Sequence, residues 1–70
     1  MESSVLIKFG QRIRALRKAH KLTQKQLAVI TGFHYNYIGM VERGERDLRL
    51  TNIELFASAF DMSLSELFNI

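Results

Sequence analysis

The feature that most restricts how this chain can fold is a two-residue connection, Gly32 and Phe33, between two short segments with helical patterns. The first segment covers residues 24–31 and the second covers residues 34–43. Glycine adopts positive φ without the steric penalty that other residues meet, so Gly32 suits the end of a helix. Gly39 stands inside the second segment, where a glycine costs about 1 kcal/mol relative to alanine. We therefore expect two helices in close succession, the second with an unusual surface.

Three sequence features indicate that these segments form a helix-turn-helix unit, in which a short turn with a glycine joins two helices. The connection contains Gly32, and Ala28 is small at the point where the two helices would cross closely. The third feature is a set of apolar side chains at positions that face a shared core. These are Leu27, Phe33, Ile38 and Val41.

Helix caps and apolar periodicity predict five helices and no strand. Thr23, Thr51 and Ser63 each stand three residues before a Gln or Glu, which is the capping-box pattern of a helix start. The predicted helices span residues 4–20, 24–31, 34–43, 52–60 and 64–68. We therefore expect an all-α fold, a compact single domain over residues 1–70, with the helix-turn-helix motif at about residues 23–43.

Charge is unevenly distributed, although the net charge is only +3. Residues 50–70 contain three acidic side chains and no basic one, whereas residues 8–25 contain no acidic side chain. The seven basic residues of that segment are Lys8, Arg12, Arg14, Arg17, Lys18, Lys21 and Lys25. Such a segment attracts polyanions. The alternative interpretation is that these basic residues form a solvated helix face without a partner.

The third predicted helix has two different faces. Ile38 and Val41 have core spacing, whereas the opposite face is polar and aromatic. That opposite face consists of Tyr35, Asn36, Gly39, Met40 and Arg43. A recognition helix presents a face of this kind to the major groove, where asparagine can bond to both N6 and N7 of adenine. Without a side chain at Gly39, the helix axis can come nearer to the base edges. Double-stranded DNA is therefore the predicted partner.

Several other classes of function are not supported by the sequence. The chain contains no cysteine, and its two histidines lie 14 residues apart without a partner at ligand spacing, so no metal site is expected. No nucleophile has a base and an orienting partner, and no phosphate-binding glycine loop occurs, so we expect no enzyme, cofactor or small-molecule ligand. No apolar stretch approaches the roughly 20 residues of a membrane span, and no signal peptide is recognisable. These features predict a cytoplasmic protein without a membrane partner.

Two stretches, LTQKQLAVITGFHYNYIGMVERGERDL and ASAFDMSLSELF, resemble the helix-turn-helix family of phage repressors, Cro proteins and their bacterial relatives. Within that family, YIGMVERGERDL most resembles the controller proteins of restriction–modification systems. The resemblance implies a lambda-repressor-like fold in which the fourth and fifth helices close the core and form a dimer. It also implies a small regulator that binds its own promoter and times expression of the endonuclease.

The resemblance implies a role for individual residues as well. Four would contact bases: His34, Tyr35, Asn36 and Met40. Four would contact the DNA backbone or base edges: Gln24, Tyr37, Arg43 and Arg46. Arg17 and Glu42 match a pair that bridges the first and third helices in related repressors. The sequence alone leaves packing roles open for the two tyrosines and solvated surface roles open for Asn36 and the two arginines.

Three departures from the family pattern stand out. Lys21 and Asp61 occupy positions where relatives often have glycine. His34 replaces a small or acidic residue at the start of the recognition helix. Val29 and Ile30 replace polar residues, and they are either a partner surface, such as one for RNA polymerase, or ordinary exposed apolar residues.

The predicted mechanism is that of a sequence-specific transcription regulator. Two protomers associate through Leu55, Phe68 and Ile70 and place two recognition helices about 34 Å apart on a near-palindromic operator. Activation and repression both remain open. The alternative is an antitoxin-like or other protein-interaction module in which DNA binding is secondary.

Overall fold

The computed structural model describes residues 4–70 and folds them into five helices. The helices are α1 Ser4–Ala19, α2 Gln24–Thr31, α3 Tyr35–Glu42, α4 Leu50–Ala59 and α5 Leu64–Leu67. No strand occurs in this part of the chain, so the all-α prediction is confirmed. Of the predicted domain, residues 1–3 lie outside the described part.

Two of the three predicted capping boxes are present. Thr23 Oγ1 accepts the Gln26 amide (3.1 Å), and the Gln26 side chain accepts the Thr23 amide (2.8 Å). The same exchange joins Ser63 and Glu66 at the start of α5. Each box satisfies two amides that the first turn of a helix leaves without a partner. The predicted starts of α2 and α5 are therefore confirmed.

The predicted start of α4 is wrong, because the helix begins two residues before residue 52 and Thr51 is not its cap. Arg49 is the N-cap residue, and its carbonyl accepts the amides of Asn52 and Ile53 at 3.0 Å each. The helix is therefore already established when the chain reaches Thr51. No side chain caps this end, and its exposed amides can bond to water instead.

The core lies where the five helices converge around Phe56. Its ring is fully buried and packs edge-on against Phe9, with 6.3 Å between centroids. It also packs against the tilted ring of Phe33, with 5.3 Å between centroids. The buried apolar residues are Phe9, Ile13, Leu16, Leu27, Ala28, Ile38, Val41, Phe56, Ala57, Phe60 and Leu67. This set contains the predicted core positions Leu27, Ile38 and Val41, and the predicted Phe33 packs against its edge.

Two glycines bring α1 close to α3 and the loop that follows α3. A Cβ on Gly10 would collide with the backbone oxygens of Val41 and Glu42, the latter at 2.7 Å. A Cβ on Gly44, which has a φ of +73°, would lie 2.9 Å from the Cα of Ile7. The helix α3 is therefore held directly against α1 by backbone contact.

The turns that end α1 and α4 both use a left-handed residue that is not glycine. Lys21 has a φ of +57° and Asp61 a φ of +54°. Left-handed geometry costs a residue with a Cβ about 1–2 kcal/mol, less for aspartate than for most residues. Both residues thus adopt a conformation that glycine, which relatives often have at these positions, takes without this cost.

Arg12 joins α1 to the end of α5. Its Nε donates to the carbonyl of Leu67 (3.2 Å) and its guanidinium also donates to the carbonyl of Glu66 (2.9 Å). These bonds satisfy two carbonyls at the C-terminal end of a four-residue helix.

None of the helices within residues 4–70 has the length and apolar character needed to cross a membrane.

Candidate nucleic-acid interface

The structure divides α3 into a buried and an exposed face, as its spacing predicts. Ile38 and Val41 have almost no exposed surface, whereas Tyr35 and Asn36 are exposed and Met40 is half-buried. The exposed side of the helix borders a shallow hollow. Its lining residues are Gln24, Tyr35, Asn36, Gly39, Met40, Arg43 and Glu45.

Gly39 lines this hollow and is buried. A Cβ at Gly39 would lie 3.1 Å from a guanidinium nitrogen of Arg43 and 3.6 Å from Oε1 of Gln24. In the free protein the side chains of Gln24 and Arg43 therefore border the space beside Gly39. A closer approach of the helix axis to base edges at this glycine stays a prediction.

A bidentate ion pair joins α1 to the last turn of α3. Arg17 Nε and Glu42 Oε2 are 2.6 Å apart, and the second Arg17–Glu42 bond is 3.0 Å long. The side chains are only 11% and 4% exposed. The hydrogen bond to Glu42 raises the pKa of Arg17, so the guanidinium stays charged. Arg17 also donates to the carbonyl of Leu22 (2.9 Å) and Gln24 donates to Glu42 (3.1 Å), so the pair orients the start of α2 as well.

Tyr37 is held on three sides at the edge of the exposed face. Its ring packs against Phe33 at 4.8 Å, and the Arg46 guanidinium lies 5.6 Å from the ring centroid. Its hydroxyl accepts a hydrogen bond from Asn52 Nδ2 (3.2 Å). Tyr37 therefore combines the packing and polar roles that the sequence left as alternatives, with its hydroxyl proton free to donate.

Asn52 is a residue that the sequence did not single out. It lies in the first turn of α4 and contacts the recognition helix through Tyr37. The predicted helix of residues 52–60 made Asn52 its first residue, whereas the helix starts at Leu50. Only the tertiary structure brings the side-chain amide of Asn52 to Tyr37.

His34 lies just before α3 and acts as its N-cap. Nδ1 of the ring accepts the Asn36 amide at 3.1 Å. The ring stacks on Tyr35, with 4.6 Å between centroids and 28° between planes. Lys25 reaches the Tyr35 ring from α2, with Nζ 5.3 Å from its centroid. His34 therefore has one ring nitrogen bound within the protein.

Arg43 forms an exposed ion pair with Glu45, with Nε and Oε2 3.0 Å apart. The hydrogen bond to Glu45 raises the pKa of Arg43. Both side chains are more than half exposed, so the pair contributes little stability and can open at low cost. Arg43 is thus close to the hollow and available to a phosphate.

The basic segment is only partly free for a ligand. Arg12 and Arg17 are bound within the fold, as described above. The other five side chains of the segment are exposed, namely Lys8, Arg14, Lys18, Lys21 and Lys25. Of these, Lys25 is the one placed beside the recognition helix, through Tyr35.

The three predicted dimer residues are exposed but do not border one hollow. Phe68 is 41% exposed, packs against Phe9 at 5.7 Å and borders a shallow apolar groove with Val5 and Ile53. Ile70, 51% exposed, lies beside Lys8. Leu55, 43% exposed, borders a separate hollow at the turn from α4 to α5.

Val29 and Ile30 are 83% and 54% exposed on the outer side of α2.

Within residues 4–70, no group of three metal-binding side chains comes together.

A small all-helical fold with a polar, exposed second helix in its helix-turn-helix unit defines a class of DNA-binding regulator. The helix-turn-helix family model matches residues 13–67, and the chain belongs to this family. It is 40% identical over 58 residues to control protein C.SmaI of Serratia marcescens, over 83% of this chain and 69% of that protein.

Solved structures show the same similarity. The restriction-modification controller protein C.AhdI of Aeromonas hydrophila matches with a TM-score of 0.90 and 47% identity, over 94% of this chain and all of that one. The controller protein C.Esp1396I, solved as a tetramer with its natural 35 base-pair operator, matches with a TM-score of 0.88 and 30% identity, over 96% and 88%. The predicted resemblance to controller proteins is confirmed.

Proposed function

We propose that this DNA-binding transcription regulator is the controller protein of a restriction–modification system and acts as a homodimer in the cytoplasm. The observation that carries the proposal is α3, whose apolar face is buried while its Tyr35–Asn36 end is exposed beside the hollow. The controller proteins to which the chain is similar support the biological setting.

In the proposed complex, α3 lies in the major groove. Asn36 and Tyr35 are exposed at its N-terminal end and contact base edges, with Met40 one turn further along. Phosphate contacts come from residues around both ends of α3, namely Gln24, Tyr37, Arg43 and Arg46. Backbone contacts of this kind supply affinity and register, while base contacts supply selectivity.

The proposed dimer places two copies of α3 about 34 Å apart, one turn of DNA, so the operator is near-palindromic. Regulation then follows from where the dimer lies relative to the promoter and from its concentration. We propose that Val29 and Ile30, exposed on α2 next to the DNA-facing helix, contact RNA polymerase in the activating complex.

Footprinting on the DNA upstream of the protein's own gene tests the proposed function. We expect two protected half-sites with two-fold symmetry, about ten base pairs apart from centre to centre. A scrambled duplex of the same length and composition is the control, and it should show no protection at the same concentration. Equal, featureless coverage of both duplexes, or no binding, would contradict the proposal and favour the protein-interaction alternative.

A further inference from the structure

We propose that His34 is a positioning residue that caps the recognition helix and orients the backbone of its first turn, and is not itself a reader of bases. The inference rests on the proposed DNA-binding function. It gives the histidine at the start of this helix a role within the protein.

The backbone and side chain of His34 both have the geometry of an N-cap. Its φ of −70° and ψ of 144° are in the extended region, like those of the caps Thr23 and Ser63. At those two caps, the side chain three residues later also accepts a hydrogen bond from the amide of the capping residue. The equivalent residue after His34 is Tyr37, whose hydroxyl is bound to Asn52 instead. The single bond from the Asn36 amide to His34 therefore carries the side-chain capping of α3.

That bond determines the tautomer of the neutral imidazole ring. Because Nδ1 accepts a hydrogen bond, it carries no proton, and the proton of the neutral ring is on Nε2. The ring plane is set at the same time, since the imidazole stacks on Tyr35 at 4.6 Å. The cap thus holds the backbone of Asn36, one of the two exposed residues at the DNA-facing end of α3.

Substitution by serine separates capping from direct contact. Serine caps a helix well but has no ring to reach a base, whereas alanine does neither. A positioning role predicts that His34→Ser resembles the wild type and His34→Ala does not. Direct base contact by the ring predicts that both variants lose the same affinity and selectivity. All three proteins should fold, because His34 is exposed.

The first arm of the test needs no DNA. Amide hydrogen exchange by NMR reports the opening of the first turn of α3 in the free protein. We expect the Asn36 amide to exchange about five-fold faster in His34→Ala, in line with the usual strength of a cap, and His34→Ser to restore the wild-type rate. An Asn36 rate unchanged in His34→Ala would overturn the capping role.

The second arm measures binding to the operator and to a random duplex. We expect His34→Ala to lose about five-fold in operator affinity with little change on the random duplex, and His34→Ser to stay within about two-fold of wild type on both. A serine variant as weak as the alanine variant would overturn the inference, because the ring itself would then be needed. Wild-type protein without preference for the operator would instead overturn the proposed function, while the exchange arm still decides whether His34 is a cap.

Discussion

At the scale of single residues, three of the side chains proposed to contact DNA are held by protein contacts in the free molecule. Gln24 is bound to Glu42, Tyr37 to Asn52 and Arg43 to Glu45. Ordering flexible side chains on binding costs free energy, and a side chain that is already oriented avoids part of that cost. The exposed face of α3 is thus organised before it meets a ligand.

The Arg17–Glu42 pair should be the strongest polar contributor to this organisation. Glu42→Ala leaves a guanidinium that is only 11% exposed without its partner, and we expect a loss of about 3–5 kcal/mol in the free energy of unfolding. Urea titration followed by circular dichroism measures it. Glu45→Ala removes the exposed pair with Arg43 and is the matched control, with an expected loss below about 1 kcal/mol. Equal, small losses in both variants would show that burial does not strengthen the first pair.

At the scale of secondary structure, the recognition helix is held by contacts with α1 and α4. Gly10 permits backbone contact between α1 and α3, and Asn52 of α4 bonds to Tyr37 of α3. Neither contact was predicted from the sequence. Capping boxes and apolar spacing are local signals and correctly predicted α2, α5 and the core face of α3. The crossing of α1 and α3 depends on Gly10 and Val41, which are more than 30 positions apart in the sequence. A local sequence pattern therefore cannot predict this crossing.

Two details at residue level lie beyond local patterns. Gly39 belongs to the predicted face, but the side chains of Gln24 and Arg43 beside it could not be inferred from spacing. Thr51 has the pattern of a capping box, yet the helix already starts at Leu50, with the carbonyl of Arg49 accepting the amides of Asn52 and Ile53. Local patterns therefore identified the helices but not these two details.

Gly10→Ala should strongly destabilise the α1–α3 contact. The added Cβ would meet two backbone oxygens that cannot move away as a side chain would, so we expect a cost of about 3 kcal/mol, partly offset by about 1 kcal/mol of helix propensity. Thermal unfolding measures the net loss. Gln11→Ala, at the exposed neighbouring position, is the control and should stay within about 0.5 kcal/mol. A Gly10→Ala protein as stable as the control would show that the two helices can separate without cost.

The start of α5 should respond to acid. Hydrogen bonds from the backbone amide and hydroxyl of Ser63 lower the pKa of Glu66. The resulting stabilisation is complete above the unfolded-state pKa, about 4.3, and is lost as the pH falls through the lower pKa of the folded state. Urea unfolding of wild type and Glu66→Gln should therefore differ most at about pH 6 and least at about pH 3. Parallel curves across this range would contradict a role for the ionised carboxylate.

At the scale of the whole molecule, several large apolar side chains are exposed. A domain of 70 residues buries a smaller fraction of its surface than a larger domain does, and association with a second copy adds burial. Phe68 and Ile70 are about half exposed beside α1, and Leu55 is similarly exposed at the turn from α4 to α5. The separation of these two patches means that one interface need not include all three residues.

We expect a homodimer at micromolar concentration and a monomer for Phe68→Asp, because a charge at a buried interface position is costly. Sedimentation velocity at tens of micromolar distinguishes the two states. Leu55→Asp tests the second patch in the same way, and circular dichroism shows whether each variant is folded, since Phe68 also contacts Phe9. Wild-type protein that sediments as a monomer would contradict the dimer on which the operator geometry depends.

The most direct test of sequence-specific recognition by α3 is a salt titration of DNA binding by wild type, Asn36→Ala and Arg46→Ala. Asn36 is exposed at the helix start, so its loss should cost about 1–3 kcal/mol on the operator and little on a random duplex. Loss of Arg46 should weaken both duplexes similarly and reduce the slope of log affinity against log salt by about one unit. Equal weakening of both duplexes by Asn36→Ala would contradict base recognition by this helix.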